Sequence, residues 1–370
     1  MQGLKALAQL FNLNTLSSLV DLITGYLQNY EWGSLNALAD LRGVNPSGSP
    51  EAEIWFGVHP SGPSTVEREL GRITLQEAIN LAEEEMPYLV KILAAQRPLS
   101  LQTHPDATQA ASGFADNRSK PEMICALTPF QALCGFKTTS EAYEVSTQLQ
   151  LPEDLLFMIK DAVDFSQVIE SILTKERKRD IESLTQTCKE LIEGGSLSSE
   201  AETIIKLAKE YPEDPSLLII PMMQIHTLKP GEALFLNPGV LHAYLEGVAL
   251  EVMGSSDNVV RAGFTTKEKD PATLLKILDF EASPQIQTPS SGHHRYQTMT
   301  SEFDLERIEG TTIQVSGREG TDIVVSTLMD TVLTSEKEEL IVKQGSAAWI
   351  PKTEGAYHIQ TEGIAYRVIG

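Results

Sequence analysis

A helix-forming block at residues 145–215, set between two stretches of β character, most constrains how this chain folds. In residues 31–136 short apolar runs alternate with Gly/Pro/Ser turns, which is typical of strands. One helix is predicted within that stretch, because Thr74 and Glu77 form a capping box before a helical apolar pattern. β character returns in residues 217–236. The sequence therefore predicts a mainly β protein with an α-helical insertion.

A faint internal repeat divides the β-rich part in two. Segment 228–238, followed by His242, is echoed by segment 341–351, followed by His358. Such self-similarity indicates two related β units. The Gly-x(5–6)-Pro pattern followed by His resembles the second motif of cupin jelly rolls, which hold a metal inside. We therefore expect a cupin-type β jelly-roll catalytic domain and a second, degenerate cupin-like β domain. The predicted domains are a discontinuous catalytic domain at 20–144 and 218–285, an all-α insertion at 145–217 and a C-terminal cupin-like domain at 286–370.

Gln102 and His104 form a polar pair in a strand-like segment. Side chains alternate across a strand, so these two share a face with Cα atoms roughly 7 Å apart, close enough to bind one ion. His242 and Glu122 complete a candidate ligand set. Two imidazoles, a carboxylate and a neutral amide suit a borderline divalent ion, zinc first. Taken alone, the Gln-x-His pattern more often means two polar residues on a strand, so the interpretation depends on the surrounding segments.

Charge and cysteine content argue against several classes of partner. The chain has 29 basic and 51 acidic residues and a formal net charge of -22, which disfavours nucleic acid and anionic membranes because phosphate backbones select clustered Lys and Arg. A local basic cluster can still bind a sugar phosphate, since exposed charges beyond about 8 Å are screened. Three cysteines without a C-x-x-C pair indicate reduced thiols and a cytoplasmic location. No run approaches the roughly 20 apolar residues of a membrane span.

Several segments of the chain resemble the signatures of one family. They are QNYEWGS at 28–34, AEIWFGVHP at 52–60, PLSLQTHPD at 98–106, KPEM at 120–123, ALTPF at 126–130 and DNVVRAGFT at 257–265. In this order they are similar to type I mannose-6-phosphate isomerase, from about residue 20 to the C-terminus. The resemblance implies a zinc-dependent aldose–ketose isomerase that interconverts mannose 6-phosphate and fructose 6-phosphate through an enediolate. It also implies one Zn²⁺ per chain, bound by Gln102, His104, Glu122 and His242.

Catalytic candidates follow from the same resemblance. Glu251 is similar to a carboxylate that the family proposes for proton transfer, and Arg261 to an essential arginine. The planar guanidinium of arginine suits phosphate or enediolate oxygen. We expect Asp257 to orient that guanidinium. Lys91 and Lys120 match lysines placed at the family's active site.

Other positions carry weaker expectations. Trp32 and Trp55 lie in segments that resemble the family. They either line the sugar pocket or are buried aromatic residues without a role in binding. Ser119 replaces a histidine that is frequent in the family, so no proton-shuttle role transfers to this position. The segment 106–119 is compact, which predicts a shortened loop. The remaining histidines are predicted to be structural: His226, His293, His294 and His358.

Two other function classes stay open. A metal cupin oxidoreductase would favour a His-rich site for iron or manganese, which the Gln-x-His and Lys-Pro-Glu patterns fit poorly. A non-catalytic sugar-phosphate-binding cupin would keep the Trp and Arg contacts but would need neither metal nor base. A fused nucleotidyltransferase is not indicated, because no Gly-rich phosphate loop occurs. We expect a monomer that binds a small sugar phosphate. Residues 1–18 predict a short amphipathic helix without an export signal.

Overall fold

The computed structural model describes residues 20–68, 71–196, 198–317 and 319–370. The amphipathic helix expected at residues 1–18 lies outside them. The strands are β1 (Asp21–Thr24), β2 (Tyr26–Gln28), β3 (Glu53–Phe56), β4 (Thr65–Arg68), β5 (Gly71–Thr74), β6 (Tyr88–Ala95), β7 (Leu101–Thr103), β8 (Glu122–Ala126), β9 (Phe130–Phe136), β10 (Met223–Leu228), β11 (Ala233–Leu236), β12 (His242–Gly254), β13 (Val260–Gly263), β14 (His293–Arg295), β15 (Asp304–Val315), β16 (Asp322–Leu328), β17 (Thr331–Ser335), β18 (Glu339–Val342), β19 (Ala347–Ile350) and β20 (Tyr357–Ile369). The α-helices are α1 (Ala37–Arg42), α2 (Leu75–Ala82), α3 (Ala107–Ala110), α4 (Thr139–Gln148), α5 (Glu153–Lys160), α6 (Ser166–Thr174), α7 (Lys178–Glu193), α8 (Ser199–Glu210) and α9 (Pro271–Ile277).

Short helices interrupt the first β-rich stretch more often than the sequence predicts. Helix α2 begins where expected, because the Thr74 hydroxyl accepts the Glu77 N–H and the Glu77 carboxylate accepts the Thr74 N–H. The prediction of a single helix there is wrong, since α1 and α3 are also present. Helix α3 is one turn long and is capped by Asp106. It lies inside the segment that was expected to be only a loop.

The helical block α4 to α8 begins earlier than predicted, at Thr139, because Thr138 and Glu141 form a capping box. Its end also differs from the prediction. Residues 217–222, expected to be β, lie in 3-10 turns at Pro215–Leu218 and Ile220–Met222. Proline has no N–H to give to a sheet and presets the φ of a turn, so the strand β10 starts only at Met223. Among the described residues, no helix has the length and apolar character needed to cross a bilayer.

The described strands form two antiparallel sheets of ten strands each. The first sheet contains β2, β3 and β6 to β13, so strands that precede the helical block pair with strands that follow it. The second sheet contains β14 to β20 together with β1, β4 and β5. Side chains from both sheets meet in one core, which includes Tyr88, Leu250, Trp349 and Tyr366. The division into domains stays a prediction. Three strands from its first segment, residues 20–144, belong to the second sheet: β1, β4 and β5.

The two copies of the internal repeat share one local structure, although β11 pairs with one strand and β19 with two. In each copy a strand ends, a glycine with positive φ turns the chain, and a strand of four residues follows. The turning glycines are Gly231, between β10 and β11, and Gly345, between β18 and β19. This correspondence is what two related β units require.

Strand β12 is the centre of the first sheet, and its pairing partners change at Gly247. Its first part pairs with β7 and β9, and its second part pairs with β6 and β8. Gly247 has φ 119°, and a Cβ there would lie 2.5 Å from the Pro129 carbonyl oxygen. Only glycine fits that backbone without strain and without collision.

We predict that Gly247→Ala destabilises the protein. Backbone strain at such a φ costs about 1–3 kcal/mol, and the collision adds to it. Gly71→Ala is the matched control, because Gly71 has φ 113° but a Cβ at this position would meet nothing within 4 Å. Denaturant unfolding should give a clearly larger loss for Gly247→Ala than for Gly71→Ala. Equal losses would mean that the close approach to Pro129 does not matter.

Candidate metal centre and active-site cleft

Two histidine rings are fixed so that both present a bare nitrogen to the same point. His104, just after β7, has Nδ1 2.6 Å from the Asn258 carbonyl oxygen, and His242, at the start of β12, has Nδ1 3.0 Å from the Val240 carbonyl oxygen. A carbonyl can only accept, so each neutral ring carries its proton on Nδ1 and a lone pair on Nε2. Both Nε2 atoms are buried and have no hydrogen-bond partner among the described residues.

Glu122, the first residue of β8, faces both nitrogens. Its Oε1 lies 3.1 Å from His104 Nε2 and its Oε2 lies 3.4 Å from His242 Nε2. One donor atom from each of the three residues lies within 4.8 Å of the others, and all three side chains are buried. Buried ring nitrogens without a partner are costly unless a ligand satisfies them. The arrangement therefore fits a metal ion, and these three residues could hold it.

Protonation in this cluster also suits a metal. Burial lowers the pKa of His104 to about 4, so its ring is neutral at physiological pH. Burial opposes ionisation of Glu122, yet His104 and Lys120 together hold its pKa well below the usual range. The Lys120 Nζ lies 3.2 Å from Glu122 Oε1, and the Tyr244 hydroxyl donates to Glu122 Oε2 at 3.2 Å. A neutral imidazole beside an ionised carboxylate is the ligand state that divalent metals require.

Strand register places Gln102 beside His242, one of the candidate metal ligands. Gln102 on β7 lies opposite His242 on one side and Arg261 of β13 on the other. Directly paired residues point to the same face of a sheet, so the three side chains form a row. The Gln102 Oε1 accepts the Ser100 hydroxyl at 2.8 Å, which orients the amide.

A second row of side chains crosses β3, β6 and β12. Trp55 pairs with Lys91, and Lys91 pairs with Glu251. The Lys91 Nζ lies 2.9 Å from Glu251 and 3.8 Å from Glu53, and it sits 5.3 Å from the centre of the Trp55 ring. Burial raises the pKa of Glu251, and the neighbouring Lys91 partly offsets that shift. A buried carboxylate of raised basicity, held by one ammonium group, can accept a proton.

A cleft of about 480 Å³ is lined by members of both rows, among them Gln102 and Lys91. Its lining also includes Lys120, and Glu210 and Tyr211 from the end of the helical block. His242 and Glu251 are not part of that lining. Arg261 also lines the cleft. The ion pairs of the described residues include none for Arg261, and burial lowers the pKa of its guanidinium. An uncompensated, partly buried cation facing a cleft is suited to an anionic ligand.

Asp257 is brought to the cleft, but its contact differs from the expected one. It was expected to orient Arg261, and no ion pair between them is present among the described residues. Instead Asp257 Oδ1 lies 3.0 Å from Nε2 of His59. Sequence reasoning missed His59 as a functional candidate, because a His-Pro pair at the end of a strand looks like an ordinary turn. It also missed Asn258, whose carbonyl fixes the His104 ring.

The remaining sequence candidates have separate positions. Trp32 and Trp55 both line the cleft, and Trp55 is buried. The Ser119 hydroxyl donates to Glu302 at 2.9 Å. Four histidines lie apart from the candidate metal group of the described residues: His226, His293, His294 and His358.

Comparison with known proteins assigns this arrangement to a family. The sequence model for the phosphomannose isomerase type I catalytic domain matches residues 20–139. Mannose-6-phosphate isomerase of Escherichia coli strain K12 is 31% identical, over 92% of this chain and 97% of that protein. The human enzyme of the same name is 30% identical over 73% of each chain. The chain belongs to the type I phosphomannose isomerase family.

Solved structures agree with this membership. A crystal structure of a histidine variant of phosphomannose isomerase from Salmonella typhimurium has a TM-score of 0.87 and 27% sequence identity, covering 95% of this chain and 99% of that one. The predicted fold class, a mainly β protein of cupin type with helical insertion, is confirmed by this match. The prediction that the chain is an isomerase of this family is confirmed as well.

We predict that His104→Ala and His242→Ala each lower the metal content of the purified protein from about one ion per chain. Loss of a direct ligand should weaken binding by more than the roughly 10–100-fold typical of losing an outer-shell partner. His226→Ala is the control, because that buried ring already has its Nε2 against the Cys134 carbonyl. Elemental analysis after dialysis measures the content. Full occupancy in both ligand variants would contradict the assignment.

Proposed function

We propose that this chain is a zinc-dependent enzyme that interconverts mannose 6-phosphate and fructose 6-phosphate. The observation that carries the proposal is the pair of buried Nε2 atoms of His104 and His242, which face the Glu122 carboxylate and have no hydrogen-bond partner among the described residues. Lys120, which contacts that carboxylate, lines a cleft together with Arg261. The printed names of the relatives supply the substrate, mannose 6-phosphate. An isomerase that acts on a sugar phosphate with the help of a metal ion needs a metal site and a cation for the anionic substrate, and this site offers both.

The proposed ligands are Gln102, His104, Glu122 and His242, and the proposed ion is zinc. Three neutral ligands and one anionic ligand suit a borderline divalent ion and leave it net positive charge. When bound, such an ion supplies Lewis acidity toward sugar oxygens. Lys120 beside Glu122 keeps that carboxylate ionised. Tyr244 holds the second carboxylate oxygen in place.

Glu251 is the proposed proton carrier between C1 and C2 of the open-chain sugar. Isomerisation of an aldose to a ketose removes a proton from one carbon and returns it to the neighbour, so one carboxylate can serve both steps. Burial makes Glu251 more basic than a surface carboxylate, because it raises the pKa of this group. Lys91 orients Glu251 and is itself held by Glu53, whose other oxygen accepts the Trp55 indole N–H at 2.7 Å.

Arg261 is the proposed anchor for developing negative charge. Its guanidinium has no ion-pair partner among the described residues, so an anionic oxygen of the substrate can bind without displacing a protein carboxylate. A group that contacts charge growing in the transition state raises turnover more than it tightens binding. The enediolate intermediate has such a charge.

We predict that the zinc-loaded protein converts mannose 6-phosphate to fructose 6-phosphate and that this activity is lost on chelation and regained with Zn²⁺. Proton removal at carbon should incorporate solvent deuterium at C1 or C2 of recovered sugar, which NMR can measure. A protein that binds mannose 6-phosphate but never converts it would favour the sugar-phosphate-binding alternative.

We predict that Glu251→Gln lowers turnover by about 10²–10⁴-fold, because it keeps the shape but removes the base. Arg261→Ala should reduce kcat by more than it raises KM. Zinc content should stay at the wild-type value in both variants. Arg295→Ala, at an exposed ion pair in the second sheet, is the control. Wild-type turnover in Glu251→Gln and Arg261→Ala would remove both residues from the catalytic step.

A further inference from the structure

His59 lies at the wall of the cleft and contacts a candidate catalytic carboxylate. Its Nε2 is 3.0 Å from Asp257 Oδ1, although the two residues lie far apart in sequence. The His59 ring is buried, whereas the Asp257 side chain is 69% exposed. Both residues line the cleft. A rigid buried ring thus holds an exposed carboxylate that would otherwise rotate freely.

The hydrogen bonds fix which nitrogen of His59 donates. The backbone N–H of Ser61 donates to His59 Nδ1 at 3.2 Å, so Nδ1 is an acceptor. The neutral ring therefore carries its proton on Nε2 and donates it to Asp257. The ring also meets Trp55 edge-on, with centroids 4.9 Å apart. Packing and two hydrogen bonds together leave His59 one orientation.

The backbone of Asp257 is held from its other side. The Asp257 N–H donates to Asp116 Oδ2 at 3.2 Å, and the Asn258 side chain donates to Asp116 Oδ1 at 3.0 Å. The Asn258 carbonyl in turn contacts His104 Nδ1. The Asp257 carboxylate is thereby placed relative to the candidate metal ligand His104. One of its oxygens accepts from His59, and the other has no hydrogen bond to any described residue.

We propose that His59 is a positioning residue of this active site. It donates Nε2–H to Asp257 Oδ1 and so presents the second carboxylate oxygen to a hydroxyl group of the sugar. The inference rests on the proposed function, because it takes the cleft to be the sugar site. A carboxylate fixed in this way accepts a hydroxyl proton in a hydrogen bond without first losing rotational freedom.

Three variants test this role. His59→Phe keeps a ring against Trp55 but removes the donor, and His59→Gln returns a donor on a side chain of similar reach. Hydrogen bonds to charged groups are worth enough to predict a loss in kcat/KM of about tenfold or more for His59→Phe, with partial rescue in His59→Gln. Asp257→Ala, which removes the acceptor, should cost at least as much. Adding His59→Phe to Asp257→Ala should then cost almost nothing further, because the partner of His59 is already absent.

His294→Phe is the matched control. His294 also meets an aromatic ring edge-on, Tyr296, with centroids 4.7 Å apart, but it lies in the second sheet outside the cleft lining. It should leave kcat/KM unchanged. Zinc content and unfolding midpoint should match wild type in His59→Gln. Additive losses in the double variant, or unchanged kcat/KM in His59→Phe, would overturn the positioning role.

The failure of this inference can be told apart from failure of the proposed function. If the wild-type protein converts mannose 6-phosphate and His59→Phe does so equally well, only the role of His59 is wrong. If the wild-type protein shows no conversion, the proposed function fails. Nitrogen-15 NMR of the His59 ring then still tests the contact, since the proposal requires the proton on Nε2. A proton on Nδ1 would overturn it without any activity measurement.

Discussion

The antiparallel pairing of β12 with strands from before the helical block is the constraint on which the site depends. β12 carries His242 before Gly247 and Glu251 after it, and its neighbours supply Gln102, Glu122 and Lys91. A shift of β12 by one residue would turn every side chain to the opposite face of the sheet. The change of partners at Gly247 lets the first part of β12 supply a candidate metal ligand and the second part supply the proposed proton carrier.

The charges of the cleft explain how an acidic protein can accept an anionic substrate. The chain has a net charge of -22, yet Lys91, Lys120 and Arg261 all line this one cleft. Lys91 lies between two carboxylates and Lys120 lies beside one, as buried charges require. Arg261 has no such partner among the described residues. The Arg261 guanidinium is therefore the cation of the cleft that we propose to bind an anionic oxygen of the substrate.

Local sequence patterns predicted which side chains share a strand face and where a helix begins. The pairing of strands that are distant in sequence could not be predicted in this way. The shared face of Gln102 and His104 follows from strand periodicity, and the start of α2 follows from its capping box. No local pattern encodes that Glu251 lies opposite Lys91, because that pairing depends on the register of two distant strands. For the same reason the sequence did not predict that β1 pairs with β19 in the second sheet. The apolar run at 217–222 was predicted to be a strand, but Pro215 before it and Pro221 within it favour 3-10 turns.

The helical block contributes residues to the cleft lining and packs against the β structure. Its helices share a core with β9 and β13, which includes Phe136 and Ala262. At its end, Glu210 lies 3.3 Å from Arg97, and Tyr211 contacts Phe264 with ring centres 5.9 Å apart. These contacts hold Glu210 and Tyr211, which line the cleft. Because Glu210 and Tyr211 line the cleft and are held by these contacts, the packing of the helical block against the β structure determines the position of one part of the cleft wall.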